Sequence, residues 1–198
     1  MSKWFYILTI AAVLTLKGTS AMAADAPDQS KVAVIETKFG NIVVELFWDD
    51  APKTSANFVK LASEGFYNDT TFHRVIPDFM IQGGDPKSKD GSNRAAHGTG
   101  GPGYTVPAEI KRDHKRGTLA TARLGDEGNP RRESSGCQFF INVKDNNFLN
   151  GGYTVFGQVI KGMDVADKIV ATPRDRRDNP NEAVTMKVTL MSREEAMR

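Results

Sequence analysis

The sequence predicts a mainly-β domain, an antiparallel barrel or sandwich with two helices attached. Three observations carry this. Short apolar or alternating segments recur from end to end. Only two segments have helical spacing, one early and one late. Strands and helices do not alternate, which rules against βαβ units and a parallel sheet.

The elements follow in order. KVAVIET (31–37) is β-branched and apolar, hence a strand. Phe39-Gly40-Asn41 makes a turn, and NIVVELFW (41–48) returns as the second strand of a hairpin. APKTSANFVKLASEGF (51–66) reads as a helix. Pro52 suits its first turn, and Asp49 and Asp50 sit at the positive end of its dipole. Phe58, Val59, Leu61 and Ala62 give it an apolar face, and Gly65 stops it. FHRVIPDFMIQGGD (72–85) is two short extended pieces around a Pro77-Asp78 turn. Residues 85–103 are polar and Gly-rich, a long surface loop. RGTLATARL (116–124), CQFFINV (137–143) and YTVFGQVI (153–160) are strands. GMDVADKIVAT (162–172) is the second helix, RDRRDNPNE (174–182) a solvated loop, and VTMKVTLM (184–191) the closing strand.

The chain has 198 residues. MSK, the apolar run 4–16 and Ala21-Met22-Ala23 form the pattern of a cleaved secretory signal over 1–23. The apolar run is short against the ~20 residues that span a bilayer. A mobile lead-in (24–30), one domain (31–192) and a tail (193–198) follow. An exported, periplasmic protein is expected, with no membrane attachment after cleavage. Of 26 basic residues, Lys3 and Lys17 belong to the signal, leaving 24 against 24 acidic. That balance suggests no nucleic-acid partner. Cys137 is the single cysteine, so no internal disulfide is available. No Cys cluster or histidine spacing suits a metal, and no cofactor is expected.

Several motifs tempt. GTGGPG (98–103) matches G-x-G-x-x-G, but a dinucleotide site needs a strand before it and a helix after it. Asn68-Asp69-Thr70 is a sequon that reads first as a turn. Cys137 has no histidine near it in sequence and reads as a buried structural thiol. RDRR (174–177) with Asp178 is a mixed-charge surface loop first and a partner site second.

Arg74 is the residue that needs explaining, because it lies among Phe72, Val75, Ile76, Phe79, Met80 and Ile81. A charge in such company has a partner or a task. Strand alternation puts Phe72, Arg74 and Ile76 on one face, and Met80 and Gln82 together on the next piece. An apolar pocket with two polar donors is the make-up of a binding site. An arginine paired with a buried carboxylate fits the same residues, and the pattern leaves both open.

FHRVIPDFMIQGGD resembles the signature stretch of the cyclophilin-type peptidyl-prolyl cis–trans isomerases. The resemblance continues through GTLATARL, SSGCQFFINV (134–143) and NNFLNGGYTVFGQVIKGMDV (146–165), covering residues 31–192 in order. With the export signal, it is similar to the periplasmic bacterial branch. It implies a closed eight-stranded antiparallel barrel capped by two helices. It implies that Arg74 is the catalytic arginine and that Gln82 holds the substrate carbonyl or orients Arg74. Phe79, Met80, Phe140 and Leu149 would take the proline ring, with Ala122 and Arg123 offering backbone contacts beside the peptide. Phe148 stands where many eukaryotic members have tryptophan, and Tyr153 where many have histidine. Both remain substrate-binding candidates, with weak or no cyclosporin binding expected. The implied partners are proline-containing unfolded or partly folded polypeptides, and the implied state is a monomer.

The chemistry needs little machinery. Resonance gives the peptide bond a rotation barrier of ~18–20 kcal/mol. X-Pro bonds populate both isomers and exchange over roughly tens to hundreds of seconds. Rotation leaves the proline nitrogen pyramidal, with a lone pair. A guanidinium in an apolar pocket can donate to that nitrogen and so bind the twisted state better than either planar one. A gain of about 10⁵ needs about 7 kcal/mol of such preference. Two other readings compete: a binding module that holds X-Pro segments without turnover, and a small-ligand barrel carrier. The carrier requires a hollow interior, which Phe39, Phe47, Phe58, Phe139 and Phe156 would fill.

Overall fold

The computed structural model describes Met1 and residues 28–198. The export signal expected over 1–23 lies, Met1 apart, outside the described residues.

β1 (Lys31–Thr37) and β2 (Gly40–Leu46) form the expected hairpin, with Ala33 opposite Val44 and Ile35 opposite Ile42. These four residues are fully buried in the interior. The alternate residues Val32, Val34 and Val43 are buried too, on the outer face. The reason is a short helix, α3 (Arg193–Met197), formed by the expected tail, whose Ala196 packs on that outer patch. A strand covered on both faces reads as a continuous apolar run, which is what VAVI is.

α1 (Pro52–Ser63) buries Phe58, Val59, Leu61 and Ala62. Its first turn is not served by Asp49 and Asp50. The Glu109 carboxylate, from a distant loop, accepts from the backbone N–H of Lys53 at 3.1 Å and of Thr54 at 2.8 Å. Asp50 instead pairs with Arg112. An anion satisfies a helix N-terminus whichever part of the chain delivers it. α2 (Met163–Val170) follows Gly162 and buries Val165, Ala166, Ile169 and Val170.

The remaining strands are β3 (Arg74–Ile76), β4 (Met80–Gly83), β5 (Thr118–Thr121), β6 (Phe139–Asn142), β7 (Val155–Lys161) and β8 (Met186–Ser192). All eight join one antiparallel sheet in the order β3-β4-β6-β5-β7-β2-β1-β8. The expected closed barrel is corrected here. The edge strands β3 and β8 share no ladder, so the sheet is an open half-barrel. The two edges are tied only where the chain enters them. Thr71 bridges Thr185, and Phe72 N–H donates to Val184 C=O at 3.0 Å.

The interior is filled. Phe58 lies 5.1 Å from Tyr67, 5.6 Å from Phe139 and 5.4 Å from Phe156, ring centre to ring centre. Phe39 packs on this core from its margin. Packing of this kind leaves no hollow for a barrel carrier. Phe47 belongs to the outer cluster instead, under the Arg112 guanidinium.

The loop over 85–103 is not featureless. It holds two 3-10 turns, Pro86–Lys89 and Arg94–Ala96, and is organised around a fully buried carboxylate. Asp85 accepts from the N–H of Lys87 at 2.8 Å, of Gly100 at 3.2 Å and of Gly98. Neither a strand before GTGGPG nor a helix after it is present, so the dinucleotide context fails. Asn68-Asp69-Thr70 is a turn, with Thr70 Oγ1 donating to Tyr67 C=O at 2.7 Å.

Candidate functional site

The site lies on the outer face of the half-barrel, and register puts it there. Arg74 pairs with Gln82, Gln82 with Phe140 and Phe140 with Ala120. This row crosses four strands on one face. The row two residues on, Ile76, Met80 and Asn142, shares that face. The intervening row, Val75, Ile81, Ile141 and Leu119, points into the core. Apolar residues on both faces are thus divided between a core and a pocket floor.

Phe72 does not join Arg74 as the alternation suggested. It is buried in the core beside Phe139, at 6.4 Å. Regular strand geometry begins only at Arg74, so the period-two rule does not reach back to Phe72.

One pocket of about 380 Å³ gathers Arg74, Phe79, Met80, Gln82, Ala122, Arg123, Phe140, Leu149 and Tyr153. Phe148 is outside its lining. It is 74% exposed and leans on Phe79 at 5.5 Å, standing on the rim. The floor is buried: Met80, Phe140, Leu149, Ala120 and Val155 form one cluster.

The polar groups are held in a line. Arg74 Nη1 donates to Gln82 Oε1 at 3.4 Å, and Gln82 Nε2 donates to Gln138 Oε1 at 3.0 Å. Gln138 Nε2 then donates to the carbonyls of Gly98 and Gly100, at 3.1 and 2.8 Å. The Gly-rich loop therefore anchors the side chain that orients Gln82. Arg74 is exposed and carries no carboxylate partner among the described residues. The buried-ion-pair reading of Arg74 is set aside on that geometry.

Arg123 is committed to the fold. Its side chain is 5% exposed, pairs with Asp126 at 2.6 Å and lies over the Tyr153 ring at 4.5 Å. Ala122 has both backbone groups engaged, its N–H to Gln138 C=O at 2.9 Å and its C=O from Ser135 N–H at 2.8 Å. The backbone groups of Arg123 make no hydrogen bond among the described residues, so they are the ones open to an extended peptide.

Phe140 is fixed from behind. His114 stacks on it at 5.8 Å with planes 10° apart, and Tyr153 meets it edge-on at 5.9 Å. Asn142 Nδ2 lies 3.2 Å from His114 Nδ1 and donates to Thr118 Oγ1 at 2.8 Å. Burial holds the His114 imidazole below its ordinary pKa.

The sequence reading did not assign another wall of the pocket to the site: His73 of the signature stretch, Arg94, His97, Gly98, Asn179, and Asp175 and Arg177, which it took as part of a surface loop first and a partner site only second. Apart from His73, which directly precedes β3, these residues come from two loops separated by the core strands, and no local pattern joins them. The His73 ring is buried and neither nitrogen has a partner. Burial lowers its pKa to about 4. Cys137 is buried, with burial pushing its thiol up to about 12, so it is a poor nucleophile. No group of three or more metal-ligating side chains converges among the described residues.

A profile of the "Cyclophilin type peptidyl-prolyl cis-trans isomerase/CLD" family matches residues 32–190. A peptidyl-prolyl cis-trans isomerase of Acinetobacter baylyi is 47% identical over 144 residues, 70% of this chain and 71% of that protein. A peptidyl-prolyl cis-trans isomerase-like 2 protein of Rhizopus delemar is 42% identical over 163 residues. The match takes in 78% of this chain but only 28% of that longer protein. The crystal structure of a Cryptosporidium parvum cyclophilin type isomerase superposes with a TM-score of 0.72 at 31% identity, covering 82% of this chain and 98% of that one. The same protein was also solved in the presence of the dipeptide Ala-Pro.

Proposed function

The chain belongs to the cyclophilin-type peptidyl-prolyl cis–trans isomerase family and is an enzyme of that class, and we propose that Arg74 is its catalytic group, acting on X-Pro bonds of exported polypeptides. The observation that carries the site assignment is the placement of Arg74. It is an exposed guanidinium, held by Gln82, beside a buried apolar floor of Met80, Phe140 and Leu149.

The substrate proline ring sits on that floor, packed by Phe79 and Leu149. The peptide on one side lies along the unengaged backbone of Arg123. Gln82, whose amide is fixed by Gln138, holds the Arg74 fork towards the proline nitrogen. As the C–N bond twists and its resonance is lost, the nitrogen lone pair becomes an acceptor that the planar substrate lacks. Donation from Arg74 therefore strengthens only at the top of the barrier, which is the requirement for a rate gain. Arginine serves better than lysine because its donors form a rigid fork. The apolar floor excludes water and so strengthens the interaction.

Export to the periplasm rests on residues 1–23, with their basic tip, apolar run and Ala-Met-Ala. Proline-containing polypeptides in that compartment are then the natural clients. Phe148, standing on the rim, underlies the proposal of weak cyclosporin binding.

The test is isomerisation of a short X-Pro peptide by the purified chain beside Arg74→Ala. Fast exchange in the parent, and a loss of an order of magnitude or more in a folded variant, supports the mechanism. A folded parent without catalysis leaves a peptide-binding module. Equal rates remove Arg74 from the centre.

A further inference from the structure

The pocket wall beside β3 carries a charge that the proposed mechanism does not use. Two loops build it. The loop over 174–180 docks beside β3, where Val75 N–H donates to Asp178 C=O at 2.8 Å. Arg74 directly precedes Val75, and Arg177 directly precedes Asp178. Both arginines line the pocket.

The loop is firmly braced. Arg94 donates to Asp175 Oδ2 at 2.9 Å, to Asn179 C=O at 3.1 Å and to Pro180 C=O at 2.9 Å. Arg177 N–H donates to Asp175 Oδ1 at 2.8 Å, and Asp178 adopts a left-handed backbone at φ 63°. The wall is preorganised before any peptide arrives.

Charge on this wall is unbalanced. Asp175 is paired with Arg94 and Asp178 with Arg174, while Arg123 shares Asp126 with Arg132. Arg177 is exposed. Among the described residues its guanidinium donates only to Ala95 C=O, at 3.1 Å, and meets no carboxylate. Asp175 is the only acidic residue of the lining, and it is already paired. Arg74 and Arg177 are therefore the two arginines of the lining without a carboxylate partner among the described residues, and Arg74 is assigned to the proline nitrogen. Excess charge of one sign in a cleft attracts ligands of the other sign.

We propose that Arg177 makes this pocket select prolyl peptides that carry a carboxylate side chain next to the X-Pro bond. The inference rests on the prolyl-peptide reading of the site and adds the substrate class. An exposed pair of this kind gives a modest preference, about threefold, that salt weakens.

The experiment compares matched peptides with Glu or Lys at each of the two positions on either side of the X-Pro pair. kcat/KM is measured at low and at high salt for the parent, for Arg177→Gln and for Arg176→Gln. Arg176 is the adjacent exposed arginine and lies outside the pocket lining. The expected result is an approximately threefold preference for Glu at one position or more. It fades in high salt, disappears in R177Q and survives in R176Q. A parent that turns over Glu and Lys peptides equally overturns the proposal. So does a preference that persists in R177Q, or one lost equally in both variants. If the parent turns over no peptide, the isomerase reading itself fails, and the same ratios read as dissociation constants by calorimetry decide the charge preference separately.

Discussion

Arg74 and Gln82 face each other across the β3–β4 ladder, and the guanidinium donates to the amide oxygen at 3.4 Å. The distance is long for a hydrogen bond, so Gln82 steers Arg74 without locking it. A group that must follow a nitrogen through rotation benefits from that freedom. Arg74→Lys keeps the charge and loses the fork. It should fall well below the parent in kcat/KM while its thermal midpoint stays within a few degrees, since the residue is exposed. Parent-like turnover of the lysine variant would show that charge alone suffices.

Gln138 should matter to both stability and rate. Its amide bridges Gln82 to the Gly98 and Gly100 carbonyls. Gln138→Ala strips donors from two carbonyls and should cost about 1–3 kcal/mol in denaturant unfolding. It should also lower kcat for a neutral peptide by releasing Gln82. Loss of stability with kcat unaltered would confine Gln138 to bracing the loop.

The His73 side chain predicts a pH dependence. Its folded pKa of about 4 lies below the ordinary value of 6.5 because burial disfavours the cation. Between those two values the unfolded chain binds a proton that the folded chain does not. Its contribution is therefore complete above about pH 6.5 and is lost as pH falls towards 4, by about 3 kcal/mol at most. Unfolding free energies across that range should show a shallower fall for His73→Phe than for the parent. Parallel curves would place the acid sensitivity elsewhere.

Gly84, the last glycine of the signature stretch, has a left-handed conformation, φ 83°, and a Cβ there would lie 2.8 Å from the Cys137 carbonyl oxygen. Backbone strain and a clash with main chain then act together. Gly84→Ala should destabilise by roughly 2 kcal/mol or more. An alanine variant that melts with the parent would mean that β4 can shift to absorb the methyl.

Local pattern disclosed most of the scaffold. The β1–β2 hairpin, both long helices and the closing strand announce themselves through alternation, turn residues and helical spacing within short windows. Alternation fails at Phe72 because the chain is not yet a strand there. Strands β5 and β6 come out shorter than their apolar segments. Gly117 turns the chain just before β5 at φ 82°, and Gly136 does so shortly before β6 at φ 85°. The pocket floor was legible through family resemblance, which singles out Phe79, Met80, Phe140 and Leu149. The opposite wall was not. Arg94 reaches loop 174–180 across more than eighty positions, and the Glu109 carboxylate caps a helix more than fifty positions away. Such contacts exist only once the sheet has brought the loops together, and no window of sequence contains them.

The unclosed seam of the half-barrel has a consequence for an enzyme that handles extended peptides. A sheet with an open edge is a template on which another strand can add. The β3 edge, beside the pocket, is short and already occupied: Phe72 N–H is taken by Val184 and Val75 N–H by Asp178. A visiting polypeptide finds no unpaired ladder beside Arg74. It can lie across the pocket and depart without zipping onto β3. At β3, protection against templated strand addition thus comes in part from the same loop that presents Arg177.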